Sequence, residues 1–142
     1  MTRGSGGRTQ PCSGDQARTR LKHARKFLQL AELTAGEGGD AGFTSAGASL
    51  AVLSGIAAAD AACCAALGRR SRGQDHQQAV ALVEQVLPGG PRAANDLQRL
   101  LGLKDEAHYG LFDVSGQHFQ SALRRAEALV TFASRMIERR PR

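Results

Sequence analysis

The sequence predicts an all-α fold, a four- to five-helix up-and-down bundle. Three observations carry that expectation. Apolar residues recur at spacings of three and four in five separate segments. Short stretches rich in Gly, Pro, Ser or charge separate the segments, which keeps successive helices antiparallel. No period-two alternation of useful length occurs, and no internal repeat of roughly 20–50 residues.

A chain of 142 residues suits one domain. Its opening stretch, MTRGSGGRTQPCSGDQ, is polar, basic and Gly-rich, with no apolar h-region of a secretory signal. It reads as a disordered tail over residues 1–16, with residues 17–140 as the single bundle domain and a cytoplasmic location. The first helix is expected from about Arg18 to Ala35, with Leu21, Ala24, Leu28, Ala31 and Ala35 as its stripe and Phe27 widening it. GEGGDAG, from Gly36 to Gly42, ends it.

The second helix is the 22-residue run from Ala46 to Leu67, preceded by Thr44 or Ser45 as N-cap. Ten of its residues are Ala, the best helix former, and Asp60 is its one charge. Length alone would allow a bilayer span. Large aliphatics are few, and a central Asp costs roughly 2.5–3.5 kcal/mol on insertion scales, so a buried soluble helix without membrane contact is expected. Gly68 closes it, and RRSRGQ from Arg69 to Gln74 follows as a basic loop.

Asp75 is the expected N-cap of helix three, with Gln78 completing a capping box and Ala79, Val80, Val83, Val86 and Leu87 as the apolar face. Pro88-Gly89-Gly90 stops it, and Pro91 suits the first turn of helix four. There Leu97, Leu100, Leu101, Lys104, His108 and Leu111 share a face. Helix five follows Ser115 as N-cap, with Phe119, Ala122, Leu123, Ala126, Val130, Ala133 and Ile137 as its stripe.

Asp60 falls on the α-helical stripe Leu50, Leu53, Ala57, Asp60, Cys64, Leu67, expected as a bundle seam. A lone carboxylate there costs several kcal/mol, on the order of the buried-ion penalty, unless it is paired or neutral. Lys104 and His108, on the apolar face of helix four beside Tyr109, are the expected partners. A groove holding Asp60, Lys104, His108 and Tyr109 could bind phosphate, do acid–base work, or serve only to fix helix register. Arg69, Arg70 and Arg72 precede the start of helix three, where backbone N–H groups attract anions.

The balance of 19 basic and 13 acidic residues, +6 overall with a pI near 10.0, permits a polyanionic partner and equally fits a solvated surface. Five Phe, one Tyr and no Trp argue against a base-stacking platform. The three Cys lack a disulfide-framework pattern and read as small core residues of a reducing compartment. No metal-ligand spacing occurs, so neither metal nor cofactor is expected. FTSAGASLAVLSG lacks the Gly-Lys-Ser/Thr ending and preceding strand of a phosphate loop.

The stretches GIAAADAACCAALG, GQDHQQAVALVEQVLP, LQRLLGLKDEAHYG and SGQHFQSALRRAEALVTFA together resemble the HEPN superfamily over roughly Arg18 to Ala133. LKDEAHYG is similar to its helix-four signature, a basic residue before an Ala-Asp-Tyr or Ala-His-Tyr element. The resemblance implies a HEPN-like four- to five-helix bundle, often a homodimer. Members serve as nucleotide-binding partners of nucleotidyltransferases, as ribonuclease toxins with antitoxin partners, or as inactive modules. Catalytic members carry Arg, then a polar residue, with His after four to six intervening residues. Arg70, Ser71 and His76 match with five, Arg69 to His76 with six and Arg18 to His23 with four, whereas Lys104 and His108 have Lys and three.

The expectation is a non-catalytic binding module for a nucleotide, RNA or a partner protein, using Asp60, Lys104, His108, Tyr109, Arg69, Arg70 and Arg72. The alternatives are a metal-independent ribonuclease, with His76 or His108 as acid–base and Arg70 or Lys104 stabilising phosphate charge, and a structural adaptor.

Overall fold

The structure is a computed structural model that describes residues 8–36, 40–72, 76–111 and 113–140, without the side chains of Ala41, His108 and Tyr109. It is an all-α bundle of five packed helices: α1 (Gly14–Ala35), α2 (Ala41–Leu67), α3 (His76–Glu84), α4 (Gly90–Tyr109) and α5 (Gly116–Arg139). Two short strands, β1 (Thr9–Pro11) and β2 (Arg69–Ser71), add an antiparallel pair with Gln10 opposite Arg70.

α2 is the hub, in contact with all four other helices. Its Ala and Gly residues set the spacing. A Cβ on Gly55 would stand 2.4 Å from Leu100 Cδ1 of α4 and 3.3 Å from Leu129 Cδ1 of α5. At Gly47 the Phe119 ring approaches equally closely. Ala51, Ala58, Ala61 and Ala62 are fully buried, so helices pack against little more than backbone. Ser54 is buried with them, and its Oγ donates to the Ala24 carbonyl of α1 at 2.8 Å.

The contacts fix the directions. Ser54 meets Ala24 while Asp60 meets Arg20, so α1 and α2 are antiparallel. Gly55 meets Leu100, whereas Ala48 gathers with Leu103 and Ala107, so α2 and α4 are antiparallel too. Asp96 pairs with Arg125 and Gly89 lies under Phe132, which sets α5 against α4. The order α1, α2, α4, α5 is therefore up-down-up-down, as expected, with α3 as a crossover.

α2 is apolar and long enough to cross a bilayer, yet 72% of that stretch is buried in the bundle, as a core helix would be. Its expected seam holds in part: Ala57 and Cys64 are core residues, Asp60 is buried, and Leu50 and Leu67 pack against the core. The arc through Ala51, Ser54, Ala58 and Ala62 faces the core as well. Leu53 on the expected seam is 37% exposed. Further along, Asp60 is paired from α1 by Arg20 and from β2 by Arg70, and Cys64 is bonded to Cys12 just after β1.

The strand pair also corrects the expected tail. Residues 9–16 are ordered, because β1 pairs with β2, Cys12 is disulfide-bonded to Cys64, and Ser13 and Gln16 form a capping box at α1. The basic loop is β2 at its start, and left-handed Gly68 (φ 73) turns the chain into it. α2 begins earlier than expected, capped by Asp40, whose carboxylate accepts from the Gly42 and Phe43 N–H groups. Ser45 instead joins the α4–α5 connection, accepting from Val114 N–H at 2.9 Å. The Asp75 cap lies outside the described residues. α4 ends at Tyr109, so Leu111 leaves the expected helical face and is 95% exposed.

Candidate functional site

Asp60 is 8% exposed, and its partners are Arg20 and Arg70 rather than Lys104. Arg20 donates from Nε at 3.2 Å and from Nη2 at 3.0 Å, both to Asp60 Oδ2. Arg70 donates from Nη1 to the same oxygen at 3.3 Å. Two guanidiniums share one carboxylate oxygen, leaving one positive charge in excess. Burial pushes the Asp60 carboxyl above its ordinary range, against the lowering pull of Arg20 and Arg70.

Local structure places each member. Arg20 lies one turn after Gln16 on α1 and projects across the α1–α2 junction. Asp60 is on α2, one turn before Cys64. Arg70 is presented by β2, opposite Gln10 of β1, and its Nη2 reaches Gln10 Oε1 at 3.5 Å. The cluster borders an open pocket of about 230 Å³, lined by Gln10, Pro11, Cys12, Gln16, Thr19, Arg20, Cys64 and Arg70. The side chains of Arg20 and Arg70 are 29% and 34% exposed, so both guanidiniums remain within reach of a ligand.

Why Lys104 fails to reach Asp60 follows from helix direction. Leu103, its neighbour, sits beside Ala48 near the start of α2. Asp60 lies twelve residues on, about 18 Å away at the helical rise. Lys104 is half-buried on α4. The side chains of His108 and Tyr109 lie outside the described residues, and their backbone belongs to the same distant end of α4. The expected Asp60–Lys104–His108–Tyr109 groove therefore does not assemble around Asp60.

Of the basic loop, Arg70 joins the site directly. Arg69 turns to Gln85, with Nη2 3.5 Å from Oε1. Arg72 is exposed, and its backbone N–H donates to the Arg8 carbonyl at 2.9 Å. His76 opens α3 and does not line the pocket.

The cysteines depart from expectation as well. Cys12 and Cys64 form a disulfide across 52 residues, with Cα atoms 5.4 Å apart. Cys63 alone is a free thiol among the described residues, and burial pushes it up to about 12. Among the described residues no group of three or more His, Cys, Asp or Glu side chains comes together as a metal cluster.

Sequence reasoning missed Arg20. It also missed a groove of about 520 Å³ between α4 and α5, bordered by Arg92, Arg124 and Arg135 with Phe132 in its wall. The adjoining groove, about 220 Å³, holds Arg99, His118 and Arg125. The signal was the helical spacing of Arg124, Ala128, Thr131 and Arg135, which puts them on one stripe. Comparison with protein-family models and with curated proteins gives no match to this chain.

Proposed function

We propose that this bundle is a HEPN-like binding module without catalysis of its own, which takes a phosphate-bearing ligand, a nucleotide or RNA, at Arg20 and Arg70. The observation that carries the reading is the shared carboxylate. One Asp60 oxygen holds both guanidiniums at the edge of an open pocket and neutralises only one of them. Arginine's planar fork suits phosphate oxygens, and Asp60 preorganises both forks before a ligand arrives. Arg8 and Arg72 on the adjoining strand ends extend the positive field.

His76 is not among the described residues lining this pocket, and the binding reading is therefore preferred to cleavage through Arg70 and His76. His23 Nδ1 lies 3.4 Å from Arg20 Nη1, on the far side of that guanidinium from the Asp60 pairing. The HEPN likeness, a homodimer and a nucleotidyltransferase or antitoxin partner belong to the same proposal. It draws support from the up-down-up-down bundle alone.

Calorimetric titration with pyrophosphate and with a nucleoside diphosphate tests the reading. Arg20→Gln and Arg70→Gln are each expected to weaken binding about tenfold or more, on the scale of a charge-assisted hydrogen bond. Arg124→Gln in the α4–α5 groove is expected to leave it unchanged. The reverse pattern moves the site to that groove and overturns the assignment.

A further inference from the structure

Cys12 and Cys64 line the same pocket as Arg20 and Arg70. Cys12 is half-buried and Cys64 fully buried, so an approaching thiolate meets Cys12 first. Besides the disulfide, β1 is held by its short antiparallel ladder with β2. It is three residues long, and Gln10 and Pro11 are exposed. Its flanking backbone bonds are Cys12 N–H to the Gly68 carbonyl at 3.0 Å and Arg72 N–H to the Arg8 carbonyl at 2.9 Å. A lone two-stranded pair is marginal in water. Beyond Cys12, the Ser13–Gln16 capping box anchors the chain to α1 independently of the strand.

We propose that Cys12–Cys64 is a reversible thiol–disulfide exchange site, whose reduction by a dithiol unlatches β1 and opens the arginine pocket. A reductant thiolate attacks Cys12 Sγ, forming a mixed disulfide. The Cys12–Cys64 bond breaks, and its electron pair leaves on Cys64 Sγ, which takes up a proton from water. The reductant's second thiolate then attacks its own sulfur in the mixed disulfide and closes an intramolecular disulfide. Cys12 leaves as a thiolate and is protonated. The chain gains two electrons and two protons, and the dithiol loses them.

Arg20 and Arg70 favour this exchange, because cations beside a leaving thiolate stabilise it. Asp60, one turn from Cys64, offsets only part of that charge. Cys63 stays outside the exchange, being 3% exposed with its thiol held protonated. With β1 released, Gln10 no longer holds Arg70 and Pro11 no longer walls the pocket. The moving piece is residues 8–12, hinged at Ser13. The unlatching stands on strand geometry alone, and only its effect on ligand binding rests on the function proposed above.

Thiol counting and amide exchange test the proposal on the full chain. Denatured, unreduced protein is expected to alkylate at one cysteine, Cys63. Dithiothreitol on the native protein is expected to add Cys12 and Cys64 while Cys63 stays protected. Exchange at the Cys12 and Arg72 amides is expected to rise about tenfold or more on reduction, with the α2 core unchanged. Cys12→Ser is expected to match the reduced state without dithiol, and Cys63→Ala the oxidised one. Three alkylated cysteines without reduction overturn the proposal, as do unchanged Cys12 and Arg72 amides after reduction. Pyrophosphate affinity is expected to rise about threefold or more in the reduced state. Unlatching with no phosphate binding in either state leaves the exchange site standing and refutes the pocket's function.

Discussion

Removing Arg20 and Arg70, singly and together, probes how Asp60 is tolerated in an alanine helix. Stripping a buried carboxylate of its whole counter-charge costs about 3–5 kcal/mol. Arg20→Met leaves Arg70 in place, and the Arg20 side chain is 29% exposed. That single change is therefore expected to cost about 1–2 kcal/mol after discounting for solvent. Arg70→Met removes one N–H contact at 3.3 Å from a more exposed side chain, and about 1 kcal/mol is expected. The double variant leaves Asp60 buried without either partner, so about 3–5 kcal/mol is expected, above the sum of the singles.

The pH dependence gives a second handle on the same charge. Burial already raises the Asp60 pKa above its ordinary value, and loss of both arginines raises it further. A carboxyl with a raised folded pKa contributes stability fully present below its unfolded pKa. That contribution is lost as pH rises through the folded value. The double variant's penalty should thus be large at about pH 7.5 and shrink at about pH 4, where Asp60 can be neutral in the fold. Urea unfolding followed by helix circular dichroism measures all four proteins at both pH values. Single costs that add to within about 0.5 kcal/mol, or a penalty indifferent to pH, refute the reasoning.

Three further outcomes follow from packing and burial. Gly55→Ala puts a Cβ 2.4 Å from Leu100 Cδ1, and overpacking of about 1–3 kcal/mol should appear in thermal or urea unfolding. Ser13→Ala removes the capping box at α1 and is expected to cost about 0.5–2 kcal/mol by the same assay. Cys63, buried and with its thiol pushed up to about 12, is expected to resist iodoacetamide in native protein at mildly alkaline pH and to react promptly once unfolded. Rapid native labelling would contradict that burial.

The bundle was legible because helix signals are local. Stripes in α1 and α5, the Ser115 cap and the Pro88–Pro91 break all lie within a few residues of what they control. α2 was legible as a helix but its seam only in part, because a segment apolar on every side has no single stripe to point with. The neighbours of Asp60 were fixed by the fold, and the strand pair that presents Arg70 to it comes from residues 9–11 and 69–71. Three-residue strands carry no periodicity, and the Gly-rich composition before them pointed to disorder. Setting that stretch aside removed Cys12, so the Cys64 bond could not be anticipated. Reading Asp60 as needing a partner was sound, since burial costs the same wherever the partner lies. Choosing Lys104 assumed a helix register that antiparallel packing of α2 and α4 does not provide.

The central claim is that Arg20 and Arg70 together receive a phosphate-bearing ligand. The guanidinium Nε–H resonances of both side chains, followed by NMR during titration with a nucleoside diphosphate, test it most directly. These two resonances are expected to move together, with one affinity, while those of Arg92, Arg124 and Arg135 stay in place. Resonances of Arg20 and Arg70 that stay fixed while the α4–α5 arginines move would contradict it.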